Sequence, residues 1–200
     1  MAIWVWILIV AAVVVAVAVI AMLTARGRGR AALRRRFGPE YDRTARAAGD
    51  WRAAEADLRA REKRRAGLDI RPLPRPARLR YAGEWQQVQE RFVDHPLDAV
   101  MAGGDLVQQV MDARGYPAGD FEARAGLVSV DHPDVVPDYR LAHAVRGQAP
   151  AGQASTEALR AALLRYRSLF AELVQADGAG AGPAGQAPTA AAGRATDRRR

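Results

Sequence analysis

The distribution of apolar and polar positions divides the chain into stretches of unlike kind. From Ala2 to Leu23 the run AIWVWILIVAAVVVAVAVIAML carries no charge, and as a helix it would measure about 33 Å, enough to cross a hydrocarbon core of roughly 30 Å. From Pro39 to about Arg65 the chain turns to Ala, Glu and Arg, with Tyr41, Trp51 and Leu58 as its few large apolar groups. That pattern predicts a charged helix, or two helices parted near Gly49-Asp50, with Glu55/Arg59 and Asp57/Arg61 pairing one turn apart on a solvated face. Gly67 ends it, and the three prolines of LDIRPLPRP (68–76) predict an extended linker.

Helical periodicity is clearest beyond the prolines. Tyr81, Trp85, Val88 and Phe92 recur at steps of four, three and four, which sets them on one face. Leu97, Val100, Met101, Val107, Val110 and Met111 mark a second helix after Asp94-His95-Pro96. RGYPAGDFEARAGLVSV reads as a turn and a short helix, and DHPDVVPDYRLAHAV as the start of another. The last helix is expected to begin at Ser155, an N-cap followed by Glu157, and to bury Leu159, Leu163, Tyr166, Phe170 and Leu173 before ending near Gln175. Period-two alternation is missing, so the expected class is all-α. The expected organisation is a transmembrane anchor (1–24), a basic stem and charged stalk (25–66), a proline-rich linker (67–76) and a bundle of about four helices (77–175). A Gly/Ala/Pro/Arg tail (176–200) has no large apolar residue to offset its ordering entropy and is expected to be disordered.

Charge sharpens the reading of the apolar run. The formal net charge is +8. Arg26, Arg28, Arg30, Arg34, Arg35 and Arg36, with no acid before Glu40, and the arginines of the last seven residues supply all of that excess. The stretch between is close to neutral. Nothing basic precedes the apolar run, and it is too long for a cleaved signal peptide. Trp4 and Trp6 suit an interfacial aromatic belt, and the six arginines at the other end place the N-terminus outside and the rest in the cytoplasm, at the cell inner membrane. Those arginines leave the bilayer immediately, so anionic headgroups are their expected contact. Nucleic acid is the weaker reading, since no base-reading motif accompanies them.

The candidate chemistry is thin. With no cysteine, disulfides, thiolate metal sites and a cysteine nucleophile are excluded. No serine sits in a nucleophile-elbow setting and no glycine loop has a phosphate-cradle context. No catalytic, cofactor-binding or metal-binding residue is assigned. The most visible pattern is a repeated Val-Asp-His-Pro, at 93–96 and 130–133. Proline after a capping residue is what a helix start looks like, which is preferred at both places over an acid/base or metal couple. His143 reads as half-buried.

Six blocks, RFGPEYDR, LDIRPLP, WQQVQERFVDHP, LVQQVMDARGYP, FEARAGLVSVDHPDVVPDYRLAH and TEALRAALLRYRSLFAEL, resemble a widespread family of uncharacterised bacterial proteins with one membrane helix ahead of a helical domain. The likeness spans about residues 36–174. It implies the anchor-plus-domain organisation and adds no catalytic residue. Gly103-Gly104 departs from it where relatives carry helix formers, which implies a bend or a close neighbour there.

The function expected from these readings is a membrane-anchored interaction or scaffold module with a protein partner and no cofactor. The alternatives are a hydrolase or metal-dependent enzyme using Asp131, His132 and His143, and nucleic-acid binding through the stem. Arg114, Tyr116, Asp131, His132, Tyr139, Arg140 and His143 are the candidate interaction surface. The plainer alternative is that they pair with one another as internal staples.

Overall fold

The computed structural model describes residues 2–175, with the side chains at 2, 3, 5, 7, 8 and 18–26 outside the description. The tail expected at 176–200 lies outside the described residues, as does the side chain of Arg26. Among the described residues every regular element is helical, as the missing alternation predicts. No helix among them is long and apolar enough to cross a membrane. Much of the run proposed as an anchor falls on side chains outside that description.

Helix α1 (Ala2–Phe37) runs without interruption through the apolar stretch and the basic stem. Gly38, at φ 46°, turns the chain, and Pro39 opens α2 (Pro39–Ala48). The break expected near Gly49-Asp50 is present: Gly49 closes α2 in the left-handed region, and Asp50 caps α3 (Trp51–Ala66) by accepting from the amides of Arg52 and Ala53. Both intrahelical pairs also form, Arg59 to Glu55 at 3.2 Å and Arg61 to Asp57 at 2.6 Å.

The α2–α3 hairpin is only partly the solvated stalk that its composition predicts. Leu33 and Phe37 from the end of α1 pack with Tyr41, Leu58 and Val130 of α6 (Phe121–Asp131) in a small second core. Five apolar groups suffice because the rest of that contact is ionic, which is why the hairpin looks polar in sequence.

The main core gathers five helices, where about four are expected. α4 (Arg75–Arg91) and α8 (Thr156–Gln175) flank α5 (Pro96–Arg114), α7 (Val136–Gln148) packs on α8, and α6 contributes Ala125, Leu127 and Val128. Tyr81, Trp85 and Val88 of α4 are buried, and Trp85 stacks on Phe170 at 4.7 Å between ring centroids. Every apolar position assigned to the inner face of α8 is buried, and Ser155 accepts from the Ala158 amide at 3.2 Å as its cap. The proline-rich stretch lies along this core: Leu73 is buried, and the Arg71 amide donates to the Arg114 carbonyl at 2.8 Å.

The two Asp-His-Pro copies do different work. Pro96 begins α5, as expected. The second copy ends a helix: α6 stops at Asp131, Pro133 forbids its continuation, and α7 starts only at Val136 with Pro137 in its first turn. The glycines at 103 and 104 do not break α5. They make room for its neighbours, since a Cβ on Gly103 would lie 2.9 Å from Leu163 Cδ1, and one on Gly104 would lie 3.1 Å from the Tyr166 ring.

Candidate functional site

The seven residues proposed as an interaction surface fall into two networks, most of them interior. In the first, Gly115 caps α5 and sends Tyr116 back toward the end of α6. There the Tyr116 hydroxyl donates to Asp131 Oδ2 at 2.7 Å, and Arg65 Nε donates to the same oxygen. Arg114 Nη1 donates to the Leu173 carbonyl at 2.5 Å, and His132 Nδ1 lies 3.5 Å from Glu172 Oε2. Burial, and then the nearby Arg114 charge, hold the His132 pKa below its ordinary value against the pull of Asp131 and Glu172. Burial, and next the bond to Asp131, push the Tyr116 phenol upward.

This corner therefore favours the neutral imidazole and the protonated phenol, beside an Asp131 side chain that already accepts two bonds. The hollow beside it, lined by Asp131, His132, Pro133, Asp134, Val135 and Glu172, measures about 100 Å³. That is room for a few waters and well short of the roughly 300–1,000 Å³ of ordinary ligand sites.

The second network joins α7 to the hairpin. Glu40 has no solvent exposure and accepts from Arg61 at 2.9 Å, Arg140 at 3.0 Å and Arg43 at 3.4 Å. Arg140 and Arg43 both bond to Glu122 as well. Tyr139 is buried beside Phe121, and burial pushes its pKa up to about 12 although Arg124, Arg146 and Arg140 work the other way. His143 is half-buried as expected and stacks on Phe121 at 3.5 Å. His132 and His143 thus have separate neighbours. Among the described residues no group of three or more His, Cys, Asp or Glu could hold a metal ion.

Of the seven, only Asp131, and in part His143, present a side chain to solvent; the rest hold helices together. Sequence reasoning singled out the α7 arginine and tyrosine but missed their counterparts Glu40, Arg61 and Glu122. The only local sign was that Glu40 sits in the first turn of a helix begun by Gly38-Pro39, and such a sign does not reveal burial.

Larger openings lie elsewhere among the described residues. An apolar groove of about 210 Å³ lies between α4 and α8, with Trp85, Phe92 and Leu163 inside and Arg160 and Arg167 at its rim. A cleft of about 560 Å³ lies between α1 and α3, lined by Gly27, Arg30, Trp51, Arg52, Glu55 and Arg59. Within the stem, Arg30 donates to the Tyr41 hydroxyl at 3.2 Å, Arg34 lies 3.6 Å from Asp42, and Arg36 lies 3.1 Å from Glu62. Arg28 and Arg35 are exposed.

Compared with protein-family models, curated proteins and solved structures, the chain matches none. The functional reading therefore rests on this chain's own residues.

Proposed function

We propose that the protein is a single-pass membrane protein whose helical domain faces the cytoplasm and serves as an interaction module at the membrane surface. The observation that carries this reading is the environment of α1. Residues 9–17 are all exposed, among them Val13, Val14, Val15 and Val17, which at 3.6 residues per turn point in all directions round the helix. An all-round apolar helix that no other described part of the chain covers requires an apolar surrounding. The uncharged run from Ala2 to Leu23 is long enough for a bilayer to supply it.

The orientation follows from the six arginines that begin at Arg26, directly after the run. The domain is a compact bundle held to the stem by the Glu40 network, so that surfaces of α3 to α8 are carried at a fixed distance from the membrane. The interaction role is inferred from that presentation.

The test is a pair of reporter fusions after residue 175, one active only in the cytoplasm and one only outside it, with alkaline carbonate extraction of the same membranes. The expected result is cytoplasmic activity alone and retention in the pellet. Strong activity of the external reporter overturns the orientation, and release by carbonate overturns the anchor. For the module itself, stoichiometric binding of a divalent metal by the purified protein, lost without unfolding in His132→Ala and His143→Ala, would replace the interaction reading with an enzymatic one.

A further inference from the structure

We propose that the cleft between α1 and the first turns of α3 binds the phosphate group of an anionic phospholipid. The proposal rests on the membrane reading above and deepens it. A general attraction of the stem to a charged leaflet needs only arginines on α1, whereas this site is built from two helices and has a defined floor.

Its position comes first. Gly27, at the mouth of the cleft, is four residues beyond Leu23, or about 6 Å along the helix axis. The headgroup layer on each side of a bilayer is about 5–8 Å deep. The cleft therefore opens at the level of lipid phosphates, with α3 folded back beside α1 to form its second wall. Its volume of about 560 Å³ is within the range of sites that enclose small ligands.

Its chemistry comes second. Three arginines face one carboxylate, and that carboxylate is buried: Glu55 accepts from Arg59 at 3.2 Å and from the Tyr41 hydroxyl at 3.3 Å, and it lies 3.8 Å from Arg30. Glu55 thus fixes the floor and leaves the cleft with a positive excess. Trp51 is 41% exposed, with the guanidinium carbons of Arg30 and Arg52 at 4.9 Å and 5.0 Å from its ring centroid. Among the described residues Arg52 meets no carboxylate, so its charge is not used in holding the fold. Asp50 already occupies the first amides of α3, which leaves the side chains as the anion-binding groups. Planar guanidinium groups set on an aromatic face suit bidentate contact with phosphate oxygens, and an exposed tryptophan at this depth suits the interface.

The experiment uses the full-length protein in neutral detergent, with native mass spectrometry to count molecules retained. The probes are dioleoylphosphatidylglycerol, dioleoylphosphatidylcholine, glycerol 3-phosphate and a short single-stranded oligonucleotide. The expected result is one phosphatidylglycerol held about tenfold more tightly than phosphatidylcholine, and more tightly than glycerol 3-phosphate or the oligonucleotide. Arg52→Gln with Arg59→Gln should abolish that preference. Arg52→Gln with Trp51→Leu, which leaves the partners of Glu55 in place, should do the same. Arg35→Gln with Arg36→Gln, of equal charge but farther from the membrane, should leave it within about twofold.

An equal loss in the Arg35/Arg36 variant would mean diffuse attraction and overturn the cleft. So would equal retention of the two lipids, or binding of glycerol phosphate or the oligonucleotide as tight as that of phosphatidylglycerol. Carbonate extraction separates the two proposals: a wild-type protein that stays in the membrane and shows no lipid preference loses the cleft and keeps the anchor.

Discussion

Glu40 and Arg140 stand 100 residues apart in the chain and 3.0 Å apart in the fold. The carboxylate is fully buried and the guanidinium nearly so, at 0% and 9% side-chain exposure. Because Arg61 and Arg43 converge on the same carboxylate and Glu122 answers Arg140 and Arg43, the pair is the centre of a network tying the stem hairpin to α6 and α7.

Removing the charge at that centre should therefore be severe. Glu40→Gln takes away the one buried carboxylate that Arg140 and Arg61 share and leaves them only the half-exposed Glu122 and Asp57, and breaking a buried pair in this way costs about 3–5 kcal/mol. Chemical denaturation in detergent should show the loss as a lower midpoint. The double variant Glu40→Met with Arg140→Leu should recover part of it, because well-packed apolar groups replace a buried pair at little cost. Arg43→Ala, at a 39% exposed side chain, should cost about 1 kcal/mol or less. A Glu40→Gln variant as stable as Arg43→Ala would show that the network does not hold the hairpin.

That network also marks where the sequence stops being legible. The face of α8 was readable because Leu159, Leu163, Tyr166, Phe170 and Leu173 repeat at helical spacing and all turn inward. The turn after α5 was readable for a local reason too, since the segment that begins RGYP reads as a turn. Glu40 carries no such signal. Its burial is decided by Arg140 and Arg61 arriving from elsewhere, and a charged residue in a short polar helix looks like a surface residue until its partners are known. The second Asp-His-Pro misled for the converse reason: the same three residues end one helix and begin another, and what distinguishes them is Pro137 a few positions later. For the seven candidate residues the reading as internal staples already allowed inward-facing side chains; what was not legible was that Arg114 and Arg140 find their partners outside the set, in the Leu173 carbonyl, Glu40 and Glu122.

Three helical glycines, Gly103 and Gly104 of α5 and Gly83 of α4, should respond differently to alanine. Gly104→Ala would bring a Cβ to 3.1 Å from both the Tyr166 ring and Arg146 Cδ. Tyr166 is 1% exposed and cannot retreat, so overpacking of about 1–3 kcal/mol should exceed the helix-propensity gain of about 1 kcal/mol. Gly103→Ala meets mainly the mobile end of Leu163, at 2.9 Å, and should be near neutral. Gly83→Ala, in α4 with nothing within 4 Å, should stabilise by about 0.5–1 kcal/mol. Thermal midpoints of the three single variants check the order; a stabilising Gly104→Ala would contradict the packing described.

Gly115→Ala should be worse than any of these. Its φ is +98°, and a Cβ there would sit 2.5 Å from the Asp69 carbonyl oxygen of the proline-rich strap. The same turn lets the Tyr116 amide donate to the Met111 carbonyl at 3.0 Å, and it delivers Tyr116 to Asp131. Backbone strain and a displaced strap together are expected to cost more than about 2 kcal/mol. Limited proteolysis should show new cleavage between residues 67 and 76, and a strap that remains protected would count against its docking on this turn.

The last prediction concerns acid. His132 and His143 both have pKa values lowered from 6.5 in the fold, first by burial and then by a nearby arginine, Arg114 for the one and Arg146 for the other. Asp131 and Glu172 act on His132, and Glu122 and Asp120 on His143, in the opposite direction without reversing the shift. The unfolded chain therefore binds more protons than the folded one just below pH 6.5, and stability rises with pH there. The contribution is fully present above that value and is lost as pH falls from it toward the lower folded pKa values, with a slope of at most about 1.4 kcal/mol per pH unit for each histidine. Denaturation midpoints of the wild type should thus drop between pH 7.5 and 5.5, a window above the usual carboxylate range. His132→Gln with His143→Gln should flatten that drop whatever it does to absolute stability, because glutamine removes the titration. Parallel pH profiles for wild type and variant would mean that the two imidazoles do not set the acid sensitivity.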